Sequence, residues 1–261
     1  MPGFDFPILM MILKGLHPTA AHMNLDRNCL ITVPDNNKLN IKIMKTNNNK
    51  ILLKFILIFI AFQFVQITCM AQYRPSLFFR EDWKEITAAT PVTQEHVSNK
   101  NLTLKLYGPG CDSIKKSHHD KPSDDPYYIW SGTCTGNWAV ALKNNNYYAD
   151  LSEYSKIIWR SKQSGLRCLH IIIKLSDGKW LVSDQSDDHS NDWRIREFNL
   201  ADIGWYELDI KSVIEGAPVS HPDLTHVDEI GFTDLMRGGE SLACSRLDWI
   251  EVYGKSIPRK K

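Results

Sequence analysis

Between residues 102 and 254 the sequence is a series of short runs rich in β-branched and aromatic residues, each closed by a turn signal, and this limits the fold more than any other feature. "LTLKLYG" (102–108) alternates apolar and polar positions, as a half-buried strand does. "KIIWRSK" (156–162) and "RCLHIIIKL" (167–175) are separated by "QSGL", a glycine-containing turn, and "SDG" (176–178) then leads into "KWLVSD" (179–184). "WAVALK" (138–143), "WYELDI" (205–210), "VDEIGFTDL" (227–235) and "SRLDWIEVYG" (245–254) read as further strands. Helical periodicity is absent apart from a turn near "DLSEYSK" (150–156). Many short strands joined by turns predict an all-β fold, an antiparallel sandwich or barrel.

Strand periodicity also assigns faces. Leu169, Ile171 and Ile173 share one side of their strand, and Cys168, His170, Ile172 and Lys174 share the other. With a turn centred on Ser164, Arg160 would stand opposite Cys168. One sheet face is therefore expected to carry Arg160, His170 and Lys174 together, either solvated or as the floor of a groove.

The segment from Met44 reads as processing rather than fold. Lys45, Lys50 and Lys54 precede a run, Phe55 to Val65, that is apolar except for Gln63, and a small residue, Ala71, ends the segment. A basic start, a short apolar core and a small terminal residue describe a secretory signal over 44–71, with a membrane anchor as the alternative. Residues 1–43 precede this signal without periodicity, and 72–261 reads as one domain in a secreted or periplasmic protein. A formal net charge of +1 gives no reason to expect nucleic acid, or a membrane after signal cleavage, as a partner. Export implies an oxidising compartment for Cys111, Cys134, Cys168 and Cys244. The pairing expected first is Cys111 with Cys134; the alternative is four reduced, buried thiols.

"SHHDKPSDDPYYIW" (117–130) concentrates chemistry-bearing side chains. Two prolines keep it from being one regular element. His118, His119, Tyr127 and Tyr128 are proton-transfer candidates, since an unperturbed histidine titrates near pH 6.5 and tyrosine can donate a proton. Arg160 and Lys174 are candidates for holding an anion, and Trp130 for stacking on a sugar ring. The bland alternative is a solvated surface loop. A second polar stretch, "SDQSDDHSNDW" (183–193), offers Asp184, Asp187, Asp188 and His189, but lacks the spacing of an EF-hand loop and reads as solvated. "RGGE" (237–240) is a tight turn that could set Arg237 at a groove rim.

Two resemblances add to these readings. "DLTHVDEIGFTDLMRGGESLACSRLDWIEVYG" and "SLFFREDWKE" (76–85) resemble the last and first strands of galactose-binding-like jelly rolls, which include several carbohydrate-binding modules. That resemblance implies a two-sheet antiparallel jelly-roll β-sandwich with first and last strands adjacent. It also implies a structural calcium on Glu81 or Asp82 together with Asp248, since calcium takes several oxygen ligands. The run including "KKSHHDKPSDDPYYIWSG" and "WRSKQSG" resembles small secreted oligosaccharide dehydratases of marine bacterial ulvan-degradation loci. It implies a carbon–oxygen lyase, without organic cofactor, acting as a monomer on an acidic oligosaccharide. The C5 proton of a terminal uronic acid would be taken by His118, His119 or His170, with Tyr127 or Tyr128 as proton donor; Arg160, Lys174, Trp130 and Arg237 would bind substrate. No G-x-S-x-G or H-E-x-x-H occurs, so a non-catalytic carbohydrate-binding module stands as the alternative.

Overall fold

The computed structural model describes residues 74–236 and 243–259. The leader at 44–71, residues 1–43 and Arg237 lie outside the described residues. The strands are β1 (Leu77–Glu81), β2 (Leu102–Tyr107), β3 (Lys115–Ser117), β4 (Tyr128–Trp130), β5 (Ala139–Asn144), β6 (Tyr147–Asp150), β7 (Lys156–Gln163) and β8 (Leu169–Leu175). They continue with β9 (Trp180–Asp187), β10 (Arg194–Asn199), β11 (Trp205–Asp209), β12 (Ile214–Val219), β13 (Val227–Thr233), β14 (Ser245–Tyr253) and β15 (Lys255–Pro258). Among the described residues there is no α-helix, only three single turns of 3-10 helix, and no helix long and apolar enough to cross a membrane.

Two antiparallel sheets form a jelly-roll sandwich. The first runs β10-β7-β14-β4-β3, with β1 also on β14; the second runs β12-β11-β9-β8-β13-β5-β2, with β6 and β15 attached at one end. β14 organises the first sheet. One edge pairs along its length with β7, and the other takes β4 at Arg246 and Leu247 and β1 from Ile250 to Tyr253. The first strand is thus next to the long C-terminal strand; β15 follows it as a short addition to the second sheet.

The expected alternation holds within strands. Ile157, Trp159, Ser161 and Gln163 of β7 are buried between the sheets, while Lys156, Ile158, Arg160 and Lys162 face outward. The inward residues of β8, Leu169, Ile171 and Ile173, join the same core. β8 reads as nearly continuous apolar sequence for another reason: Ile172 on its outer side is also buried, in a second, smaller cluster with Ala139, Ala141, Trp180, Val182, Leu208 and Val213.

The expectation that β7 and β8 form a hairpin is corrected by the topology. Both edges of β7 are already occupied, by β10 and β14, so the chain after Gln163 crosses to the other sheet. Ser164 donates its N–H to the Cys244 carbonyl, Gly165 turns the chain with φ +67°, and Arg167 reaches Asp234. A glycine-containing turn cannot by itself distinguish a hairpin from a crossover. The consequence is that Arg160 lies on the outer face of the first sheet, and His170 and Lys174 on the outer face of the second. The β8–β9 hairpin does form, through Ser176-Asp177-Gly178, where Gly178 takes φ +93°.

The turn expected near 150–156 is present at Glu153 and Tyr154, after the end of β6, without a helix. Cys111, Cys134, Cys168 and Cys244 are all free thiols, so the expected Cys111–Cys134 bridge is absent. Burial pushes the Cys134 thiol up to about 12.

Candidate functional site on the outer face of the first sheet

The loop before β4 packs over the outer face of the first sheet and brings side chains from four segments together. Ile129 and Lys116 point inward, so their neighbours Tyr128, Trp130, Lys115 and Ser117 point outward. His119 is fixed by Asp125: its backbone N–H donates to Oδ2 at 2.8 Å, and its Nδ1 lies 2.9 Å from the same oxygen. A carboxylate acceptor assigns the proton to Nδ1 and leaves the lone pair on Nε2. The Tyr128 hydroxyl is 3.1 Å from His119 Nδ1. Tyr128 is buried, and burial raises its phenol above the ordinary value. Its ring meets Trp193 edge-on at 5.2 Å, and the Arg160 guanidinium lies 5.4 Å from the centroid of Trp193. Arg160 in turn donates to Asp248 Oδ2 at 2.7 Å.

A backbone irregularity accounts for the Asp248 position. The register of β14 slips between Leu247 and Trp249 opposite β7, the mark of a bulge, and Asp248 is the extra residue. Its carboxyl is buried, which raises its pKa, and the bond from Arg160 opposes that rise. Lys162 and Arg246 are cross-strand neighbours on the same face, with Asp192 3.9 Å from Lys162. The face therefore carries three cationic side chains, two of them beside a carboxylate, and one aromatic ring between a guanidinium and a phenol.

The two adjacent histidines have different surroundings. His118 bonds through Nδ1 to the Asp125 carbonyl at 3.0 Å and stacks on Tyr127 at 4.0 Å with a 9° interplanar angle. Lys116 Nζ lies 4.2 Å from the centroid of Tyr127. Lys116 is fully buried, donates to the Ile86 carbonyl, and is pushed down to about 8 by burial. His118 and Tyr127 thus help to build the loop, while His119, with a 62% exposed side chain, is open to solvent.

Trp130 is half-buried on the same outer face, paired across the sheet with Arg246, and part of its ring is covered by the chain that follows. A Cβ on Gly132 would fall 2.0 Å from a Trp130 ring carbon, so the indole lies directly on that glycine. On the opposite side of the sandwich, Lys174 is 2.9 Å from Glu229, which also accepts from the Tyr107 hydroxyl at 2.8 Å. His170 Nδ1 lies 2.9 Å from the Ser183 carbonyl. Neither residue reaches the His119–Arg160 cluster.

The expected calcium ligands are each engaged by protein groups. Glu81 is fully buried and its carboxylate accepts the N–H groups of Trp83, Ser98 and Asn99. Asp82 pairs with Arg80, and Asp248 with Arg160. Among the described residues no group of three or more His, Cys, Asp or Glu side chains is placed to hold a metal ion, and a carboxylate filled by three backbone donors does not fit one. The stretch 183–193 is likewise committed: Asp187 is buried against Trp159, Ser161 and Arg194, Asp184 holds the Gly204 N–H, and Asp188 accepts from Ser186. Sequence reasoning missed Trp193, Asp125 and Arg246. A tryptophan ending a polar stretch beside a strand was the available signal for the first.

No family model and no curated protein matches the chain. Solved structures of similar strand layout include a family 11 carbohydrate-binding module of the cellulosomal cellulase Lic26A-Cel5E of Clostridium thermocellum. That likeness has 14% identity and a TM-score of 0.38, covering 68% of this chain and all of that one. A family 29 carbohydrate-binding module follows at 13% and 0.36, covering 64% and 93%. An exo-beta-agarase follows at 9% and 0.34, covering 62% of this chain and 24% of that one. Identities and scores this low transfer no ligand to this chain.

Proposed function

We propose that the outer face of the first sheet binds an acidic oligosaccharide without altering it. The observation that carries this reading is Trp193, held between Tyr128 and Arg160 on a face that also bears Lys162 and Arg246. An aromatic ring takes the apolar face of a pyranose, and guanidinium and ammonium groups take a carboxylate or sulfate. A chain carrying the leader read at 44–71 would meet such glycans outside the cell. Calorimetric titration of uronic-acid oligosaccharides tests the reading. Trp193→Ala, which removes a partly exposed ring, should weaken binding at least about tenfold with an unchanged fold. Unaltered affinity in that variant sinks this placement of the ligand.

A second reading rests on His119 Nδ1, which faces both the Asp125 carboxylate and the Tyr128 hydroxyl, so that a carboxylate orients an imidazole beside a phenol. In a dehydratase, His119 Nε2 would take the C5 proton of a terminal uronate. The C–H electrons would form the C4–C5 double bond, and the C4 hydroxyl would leave as water with a proton from Tyr128. Arg160 would hold the carboxylate, in exchange for Asp248. The product is a conjugated uronate with its own ultraviolet absorbance. Its appearance with wild type, and its loss by a factor of about 10²–10⁴ in His119→Ala but not His118→Ala, would replace binding by catalysis. Binding without any rise in absorbance leaves the first reading in place.

A further inference from the structure

The bend after β6 is a pinned projection. Asp150 Oδ1 accepts the Ser152 N–H at 3.0 Å and the Ser152 hydroxyl at 2.5 Å, and the buried Ser155 donates its hydroxyl to the Ser152 carbonyl at 2.9 Å. Between these anchors Glu153 takes φ +58°, a left-handed conformation uncommon for any residue but glycine. The result is Tyr154, 70% exposed, its backbone fixed from below and its ring in solvent. An apolar ring this exposed calls for an explanation when its backbone is both strained and well anchored.

Beside it lies a cleft of about 860 Å³, with Lys156, Glu197, Asn199, Asp202 and Tyr253 among its lining residues. Its walls are tied together. The Leu200 N–H donates to the Ser155 carbonyl at 3.0 Å, Lys156 donates to Glu197 at 2.8 Å, and the Tyr253 hydroxyl donates to Glu251 at 2.9 Å. Arg74 and Lys156 are outnumbered in the lining by Glu153, Glu197 and Asp202, so the cleft has no excess of cations to hold an anion. Aromatic rings with carboxylate and amide acceptors suit the hydroxyls and C–H face of an uncharged pyranose. Lys156 at the cleft and Lys162 at the Arg160 site are outward residues of one strand. Six residues of strand separate them by about 20 Å, the length of several linked pyranoses.

We propose that this cleft, with Tyr154 as its stacking ring, binds a neutral pyranose residue of the same glycan whose acidic residue lies at Arg160 and Trp193. The proposal rests on the reading of this chain as a glycan binder but uses a separate set of residues. The test titrates the full chain by calorimetry with neutral hexasaccharides of β-glucan, β-mannan and galactan, and separately with an oligogalacturonate. At least one neutral probe should bind wild type and Trp193→Ala alike, and bind Tyr154→Ala at least about tenfold more weakly. Oligogalacturonate binding should be untouched by Tyr154→Ala. Neutral binding that depends on Tyr154, with no oligogalacturonate binding at all, would keep the cleft and remove the acidic site. No neutral binding, or neutral binding indifferent to Tyr154, overturns the proposal. A wild-type dimer in sedimentation that Tyr154→Ala converts to monomer also overturns it, by assigning the cleft to a second copy of the chain.

Discussion

Replacing Arg160 by alanine leaves a buried acid without its partner. The Asp248 side chain is 10% exposed and that of Arg160 35%, so the pair is sheltered on one side and wet on the other. Removing one member of a fully buried pair costs about 3–5 kcal/mol, and stranding a buried hydrogen-bonding group about 1–3 kcal/mol. Water reaching the arginine side screens the interaction, so the lower range applies, about 1–3 kcal/mol. For a domain of this size that lowers Tm by roughly 3–10 °C. The pH dependence has a definite sign. Burial raises the Asp248 pKa above its unfolded value, so its ionised form is disfavoured by folding, and stability is lost as pH rises through the folded pKa. Arg160 counteracts that rise, so its loss costs most at neutral pH. As pH falls to the unfolded aspartate value of about 4, the folded carboxyl is the first to be protonated and most of the penalty disappears. Thermal denaturation of wild type and Arg160→Ala at pH 7 and pH 4 reads this directly. Arg160→Ala/Asp248→Asn should recover most of the pH 7 loss while remaining deficient in oligosaccharide binding. Equal destabilisation at the two pH values, or none at pH 7, refutes the reasoning.

Two further variants test the frame around the site. Gly231 lies in β13 against β5, where a Cβ would fall 1.9 Å from the Val140 carbonyl oxygen and 2.7 Å from the Ala141 Cα; both are backbone atoms of the neighbouring strand that cannot rotate away. Gly231→Ala should therefore cost about 3 kcal/mol or more in urea unfolding, and near-wild-type stability would contradict this close approach of the two strands. Glu81→Gln converts an acceptor of three backbone N–H groups into an amide with one acceptor oxygen, and should lower stability by about 2–3 kcal/mol. A chelator should leave the Tm of wild type unchanged; a fall on chelation would restore the calcium reading of Glu81.

What the sequence made legible was decided locally. The alternation in 156–162 and 169–175 and the Asp177-Gly178 turn each follow from side-chain period and backbone freedom over a few residues. Sheet membership was not local. The apolar outer residue Ile172 and the glycine at 165 are equally compatible with a β7–β8 hairpin, and only the occupation of both β7 edges by β10 and β14 excludes it. That one long-range fact separates Arg160 from Lys174 and places it instead against Trp193, which arrives from the start of β10, and Asp248, which arrives from a bulge in β14.

The same distinction governs the two histidines. In sequence they are adjacent and chemically identical, and both have Asp125 within reach. The fold gives His118 the Asp125 carbonyl and a stacked tyrosine, and gives His119 the Asp125 carboxylate and open solvent. A carbonyl orients a ring without balancing a positive charge, whereas a carboxylate does both. Each ring has a carboxylate near one nitrogen, but His119 Nδ1 lies 2.9 Å from the sheltered Asp125, whereas His118 Nε2 lies 4.0 Å from the fully exposed Asp120. In the dehydratase reading the shorter contact to Asp125 is what favours His119 over His118 as the base, and the paired His119→Ala and His118→Ala variants decide between them.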